Sequence, residues 1–401
     1  MIDKVVADYQ ALKPNVKVNS QLVFGEGQGF FDGMPYDKIL TQIASGTPPD
    51  VMMMGSDIAA SWARRGNALR ALDDVLKRDK IEPDKVFYPA LAQMARSPGK
   101  YYGLPQLTAT DRAYLFMNRD VVVGAGLDPT KGPQNWEELV DWSAKLTKRD
   151  GGTLTQLGLA APGAPFIDWL TRNNGAVFSA DGTKVVFDDA AGQETLQWML
   201  DSTNRLCGSA QAVKDFQAAN KSSTYTGKVN LWTGQAAGFF TALSDGPKAN
   251  PSFHLEANIV PGNTTKNPKA KPLSIAEKIW MYSQAAGTTG ARVDAGYEFL
   301  KYLCLGEGNK TFVLSQARPS PVVKLNDDPA FRQQNPWWDS QVKRALTLMT
   351  PMPQTPAWAD MRTLIDKMTD QVLASGQGVR DALGAAVRDC QRLLDDSLKS
   401  R

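Results

Sequence analysis

Two spacings of apolar residues take turns along the chain, a helical one and a strand-like one, and their alternation sets the expected architecture. Ile2, Val5, Val6, Tyr9 and Leu12 recur at helical intervals, and Pro14 marks the stop. Val16 to Phe24 reads as a strand, and a loop with Gly25, Gly27 and Gly29 comes after it. That loop does not run straight into a helix, so it is a turn rather than a phosphate cradle. Tyr36 to Ser45 predicts a short helix closed by Gly46. The run TPPDVMMM then predicts a buried strand, and GSDIAASWARRG opens a helix with Ser56 and Asp57 in its first turn. Either residue there would ordinarily cap the helix.

The stretch from Tyr101 to Asp120 is the one around which the chain is organised. A Gly-Leu-Pro turn leads to a polar cluster (Gln106, Thr108, Thr110, Asp111, Arg112) and then to an apolar strand core from Tyr114 to Met117. Asn135, with Glu138 three residues on, forms a capping-box pattern ahead of Leu139, Trp142 and Leu146. Residues 173–186 read as a hairpin with Asp181-Gly182 at its tip, and 188–206 as a helix. Strand and helix patterns keep alternating through GKVNLWTGQAAGFF and Phe253 to Pro261. A strand-like run over 273–284, a helix from Asp294 to Leu305, and two closing helices broken at Gly376 and Gly378 complete the chain. Such alternation favours α/β layers, sheets covered by helices. No fixed-period repeat is visible.

At 401 residues the chain exceeds one hydrophobic core, which favours two domains. With 42% hydrophobic and 22% charged residues, a compact globular fold is expected. A net charge of +3 with interspersed signs leaves no basic footprint for nucleic acid. Cys207, Cys304 and Cys390 lie far apart with no CxxC and no companion histidines, so neither a zinc site nor a disulfide framework is readable. One histidine, His254, makes a catalytic triad improbable and excludes a histidine-based metal cluster. No run of about eighteen apolar residues occurs, so no membrane span is expected. The opening residues lack a charged segment followed by an apolar one, so no signal peptide is expected in this chain.

The order of "IASGTPPDV", "YYGLP", "LFMNRDVVVGAGLDP", "NWEELVDWSAKLT", "NNGAVFSADG", "GYEFLKYL" and the closing "MPQTPAWADMRTLIDKMTDQVLASGQGVRDAL" resembles the extracytoplasmic solute-binding proteins of ATP-driven sugar importers, the maltose-binding-protein-like group. The resemblance spans nearly the whole chain. It implies a type II periplasmic-binding-protein fold: two α/β lobes, each a mixed sheet flanked by helices, closing over a ligand by hinge motion. The expected lobes are 1–112 with 256–308, and 113–255 with 309–401. The implied protein is monomeric and periplasmic, needs no cofactor, performs no catalysis, and hands a mono- or oligosaccharide to the permease of an ABC importer. In this family a first strand precedes the helix with which this sequence opens, so that strand is expected to be missing here. A secreted glycosidase with a carboxylate pair is the alternative.

Sugar recognition needs aromatic faces for C–H surfaces and charged or planar groups for hydroxyls. The resemblance assigns acidic contacts to Asp57 and Asp111, and a stacking ring and a charge to Trp358 and Arg362, one helical turn apart. It often places an aromatic just after Gly234, where Gln235 and Ala236 stand here. Trp232, or Phe239 with Phe240, is the expected substitute. Ser56 and the loop residues Phe166, Asp168 and Trp169 are further candidates. Glu277 replaces a small-residue turn of the relatives and is expected to narrow the site. Trp136, Trp142 and Trp198 sit at helical spacing among apolar neighbours and are expected in the core.

Overall fold

A computed structural model describes residues 2–21, 36–64, 68–97, 99–108, 112–160, 163–220, 224–277 and 279–399. The glycine-rich loop, the end of the expected 16–24 strand and Asp111 lie outside the described residues. Residues 16–21 form no strand. The helices at Ile2–Leu12 and Tyr36–Ala44 stand where the spacing predicts them.

Two sheets and a short two-stranded ribbon carry the fold. The first sheet has the order β1-β9-β2, from Met52–Gly55, Trp280–Ser283 and Leu104–Pro105. The second has the order β4-β5-β6-β3-β7, from Lys148–Asp150, Thr153–Leu159, Val229–Gly234, Tyr114–Asn118 and Leu255–Ile259. Between them β8 (Ser274–Ala276) pairs in parallel with β10 (Met349–Pro351). The single strand-like run expected over 273–284 is thus split: β8 belongs to the two-stranded ribbon and β9 to the first sheet.

Alternation along β3 explains why this strand sits at the centre of the second sheet. Tyr114 and Phe116 point into one core, shared with Phe239 and the first lobe, whereas Leu115 and Met117 point into another beneath the closing helices. All of β3 is buried, as a strand covered on both faces must be. The second core is built largely by Phe166–Arg172, Ala190–Cys207, Trp358–Ser375 and Val379–Lys399. Gly376 takes a left-handed φ of 67° and ends the penultimate helix, as the break in the pattern implies.

Local signals hold well. Asn135 caps its helix by accepting the Glu138 amide at 2.8 Å, and the Glu138 side chain returns to accept from the Gln134 amide at 2.9 Å. Gly103 in the YYGLP turn lies so close to β9 that an added Cβ would stand 2.6 Å from Ser283 Oγ and 2.8 Å from the Tyr282 carbonyl. Only glycine fits that approach.

Pairings and contacts at two places bear on the expected lobe boundaries. β7 pairs with β3 from Ile259 to Leu255, so the second lobe keeps residues through 259 and the crossing comes after them. The helix Glu307–Leu314 packs on Ile2–Leu12. Asn309 Nδ2 donates to the Gln106 carbonyl at 3.0 Å, and Asn326 Nδ2 donates to the Tyr88 hydroxyl at 3.4 Å. Asn309 and Asn326 are thereby joined to segments expected in the first lobe.

All three cysteines are buried thiols outside any disulfide. Burial pushes the Cys304 thiol far up and Cys390 up to about 12. A thiol reagent at pH 8 should accordingly label none of the three rapidly in native protein and all of them after denaturation, read by absorbance or mass. Rapid native labelling would show an open core around that residue.

Candidate functional site

Strand direction locates the cleft. β3 enters its sheet immediately after the first crossing, so its Tyr114 end lies beside Gly234 of β6 and Ile259 of β7. In the other sheet Gly55 of β1 pairs with Trp280 of β9, beside the second crossing. The loops after β1 and β6 therefore leave carboxyl ends of strands at the crossings, where open α/β sheets place their ligands.

Ser56 ties this region together rather than capping a helix. Its hydroxyl donates to Gln354 Oε1 at 2.7 Å and accepts the Ile279 amide at 3.1 Å. Gln354 Nε2 in turn donates to the Glu277 carbonyl at 3.2 Å and to the Met352 carbonyl at 2.8 Å. The first turn of Ser56–Arg64 is so joined to both remaining crossings. Asp57, next to it, is half-buried, and its Oδ1 has no hydrogen-bond partner among the described residues.

A chain of alternating charges runs from the second lobe to this point. Arg112 Nε donates to Asp168 Oδ2 at 2.8 Å, and its Nη2 donates to Glu277 Oε1 at 2.8 Å. Arg362 Nη1 donates to Glu277 Oε1 and Oε2 at 2.7 and 2.6 Å, and its Nε donates to Asp366 Oδ2 at 2.9 Å. Beneath them Arg172 is fully enclosed and donates from Nη2 to the Arg112 carbonyl at 2.6 Å. That bond holds Arg112 at a φ of 53°, a conformation uncommon for any residue but glycine.

Burial pulls the ionisation of this chain one way and its neighbours pull it the other. Burial pushes Asp168 up, while Arg112 and Arg172 oppose it. Its two cationic neighbours, with Arg112 in direct hydrogen-bond contact, favour the carboxylate. Arg172 is lowered to about 10, by burial first. Burial works against the charge of Arg362, but Glu277 and Asp366 outweigh it and hold its pKa above the ordinary value.

The expected residues divide. Ser56, Glu277 and Arg362 meet at the crossings, with Asp57 beside them. Trp169 is fully buried, 5.5 Å from Trp136 and 4.8 Å from Trp198 between ring centroids, and does not reach the crossings in this structure. Trp358 is 5% exposed and packed 6.1 Å from Phe178 in the second core. Trp232 is half-buried on the opposite side of its strand from Thr233, against Phe116 at 5.8 Å and Phe253 at 6.4 Å. Phe239 is enclosed and Phe240 exposed. Phe166 and Asp168 are both fully buried. Arg112, which the sequence places only in the polar cluster after the Gly-Leu-Pro turn, joins the residues that meet at the crossings through its bond to Glu277.

Trp280 is not among the residues that the sequence singles out. It is half-buried at the crossing end of β9, and its carbonyl accepts from the amides of Gln106 and Leu107 at 2.9 and 3.3 Å. Its signal was the apolar run after Glu277, which read as strand alone. A surface depression lined by Asp188, Gln193, Arg380 and Arg388 lies on the outer helices of the second lobe, away from the crossings, and is polar. Among the described residues no cluster of acidic, histidine or cysteine side chains is placed to hold a metal ion.

The fold and its crossings define a two-domain binding protein. The chain belongs to the bacterial extracellular solute-binding protein family, whose model matches residues 2–305. It is 23% identical over 377 residues to the sn-glycerol-3-phosphate-binding periplasmic protein UgpB of Pectobacterium atrosepticum, covering 87% of this chain and 79% of that one. The sugar-binding protein MalE of Xanthomonas citri is similar in structure, with a TM-score of 0.78 at 16% identity over 98% of this chain and 94% of that chain. An ABC transporter solute-binding protein of Thermotoga lettingae bound with alpha-D-tagatose gives 0.72 at 19% identity over 98% and 95%. Its family is extracytoplasmic, and no helix among the described residues is long and apolar enough to cross a membrane.

Proposed function

We propose that this chain is the substrate-binding component of an ABC importer, that it takes a mono- or oligosaccharide between its lobes, and that it delivers the sugar to a membrane permease as a monomer without catalysis. The observation that carries this reading is the meeting of Ser56, Gln354, Glu277, Arg112 and Arg362 at the crossings of a two-sheet binding fold. Glu277 and Asp57 supply acceptors for ring hydroxyls, and Trp280 supplies an aromatic face from the first lobe. Asp111 remains a proposed acidic contact and Trp232 a proposed second-lobe ring. The structural neighbours from X. citri and T. lettingae, described as sugar-binding and tagatose-bound, support a carbohydrate. Ligand shifts the lobes toward closure only to the extent that the closed state adds contacts to it.

A thermal-shift screen of neutral mono- and disaccharides tests the reading. A sugar at a hundred times its dissociation constant adds about 2.7 kcal/mol to the native state. Trp280→Ala should weaken the bound sugar about tenfold, or ~1.4 kcal/mol, in titration calorimetry. A panel in which no sugar moves the melting temperature would sink the carbohydrate assignment. Product released on prolonged incubation with labelled oligosaccharides would restore the hydrolase.

A further inference from the structure

We infer that Arg112 and Arg362 form an anion site that Glu277 fills from within the chain, and that this carboxylate restricts the cleft to uncharged ligands. The inference rests on the crossings being the ligand site and refines which carbohydrates it admits. Each guanidinium has its Nε edge engaged by an acid of the second lobe, Asp168 for Arg112 and Asp366 for Arg362. A terminal nitrogen of each is aimed at one point, where Glu277 Oε1 accepts both, at 2.8 and 2.7 Å. One oxygen bridging two guanidiniums is the arrangement that a phosphoryl, sulfate or carboxylate group takes with arginines.

Within this chain of ion pairs Arg112, Arg172 and Arg362 face Asp168, Glu277 and Asp366, so deleting the Glu277 charge removes the acid that Arg112 and Arg362 share. Glu277 is largely desolvated, with 17% of its side chain exposed, and this strengthens both its hold on the arginines and its repulsion of a second anion. The carboxylate is also anchored. Its backbone carbonyl is held by Gln354, which Ser56 of the first lobe holds in turn. A ligand oxyanion would have to displace a fixed internal one, whereas a hydroxyl can donate to the carboxylate as it stands. UgpB, named for a phosphate ester, shows that the wider family includes takers of anions. On this inference Glu277 closes the cleft of this chain to that ligand class.

Glu277→Gln keeps the shape and removes the charge. Wild type and variant are titrated with sulfate and with glucose 6-phosphate, each against sodium chloride of equal ionic strength, by thermal shift and calorimetry. The variant should bind both anions at least about tenfold tighter than wild type, the factor carried by ~1.4 kcal/mol. Glu277→Gln/Arg362→Gln should lose that gain. If Glu277→Gln folds only when sulfate is present, the rescue is itself the expected result. No anion effect on either the binding or the folding of Glu277→Gln overturns the inference, as does wild type binding glucose 6-phosphate as tightly as the variant. The neutral-sugar screen on wild type stands apart from this outcome. An anion gain in the variant with no sugar bound by wild type would keep the internal anion site and discard the carbohydrate reading.

Discussion

Trp358→Ala should lose about 3–5 kcal/mol of folding stability, the range for truncating an enclosed large aromatic, and leave the ligand affinity of the folded protein unchanged. The ring begins the helix Trp358–Ser375 and lies on its apolar stripe with Met361, Ile365, Met368 and Val372, all buried in the second core. Its amide donates to the Thr355 carbonyl at 3.1 Å, which fixes the start of the helix. Removing the indole leaves a cavity against Phe178 that a helix pinned at this end cannot collapse. Denaturant unfolding with an unchanged slope and a lower midpoint is the expected record. The family resemblance places a stacking ring here, and on that basis the loss would appear in binding instead. A tenfold weaker affinity at unchanged stability would return Trp358 to the cleft.

The spacing that misleads is also the spacing that corrects. Trp358 and Arg362 are one turn apart and share a side of the helix, which suggests a ring and a charge presented together. The same numbers place Trp358 in register with Met361 and Ile365 and leave Arg362 at the flank of the stripe, where it reaches Glu277. Local periodicity carried the helices, the Asn135 cap and the buried β3. It could not carry the crossing after β7, because whether residues 255–259 join one lobe or the other is decided by pairing with β3, far away in sequence. Glu277 stood out in sequence as an unusual residue for its turn. Its two arginine partners, 165 and 85 positions away, are brought to it only by the ribbon strands.

The helix Phe166–Arg172 shows a different reason for illegibility. In sequence Phe166, Asp168 and Trp169 read as loop residues that could reach the cleft. Every residue of the helix is buried. The acid and the base sit one turn apart with Arg112 closing over the acid, so the segment buries its charges by pairing them rather than by lacking them.

That pairing gives Asp168 the second large effect. Asp168→Ala should destabilise the protein by about 3–5 kcal/mol, the cost of stranding a buried charge, because it leaves enclosed Arg172 without a counter-charge and removes the acceptor at the Nε edge of Arg112. Arg172 Nε already has no hydrogen-bond partner among the described residues, so nothing nearby takes over the charge. Asp168→Leu/Arg172→Met, which removes both charges while keeping volume, should recover a large part of that loss, since apolar replacement of a buried pair is often neutral or better. The double variant still gives up both bonds that hold Arg112, from Arg172 Nη2 to its carbonyl and from its Nε to Asp168. Arg112 then relaxes from its left-handed φ, and the first crossing loses its fixed direction. Stability restored without ligand affinity is therefore the expected pattern, measured by denaturant unfolding and calorimetry on the same preparations. Affinity restored together with stability would mean that the buried pair supports the fold and has no part in aiming Arg112 at Glu277.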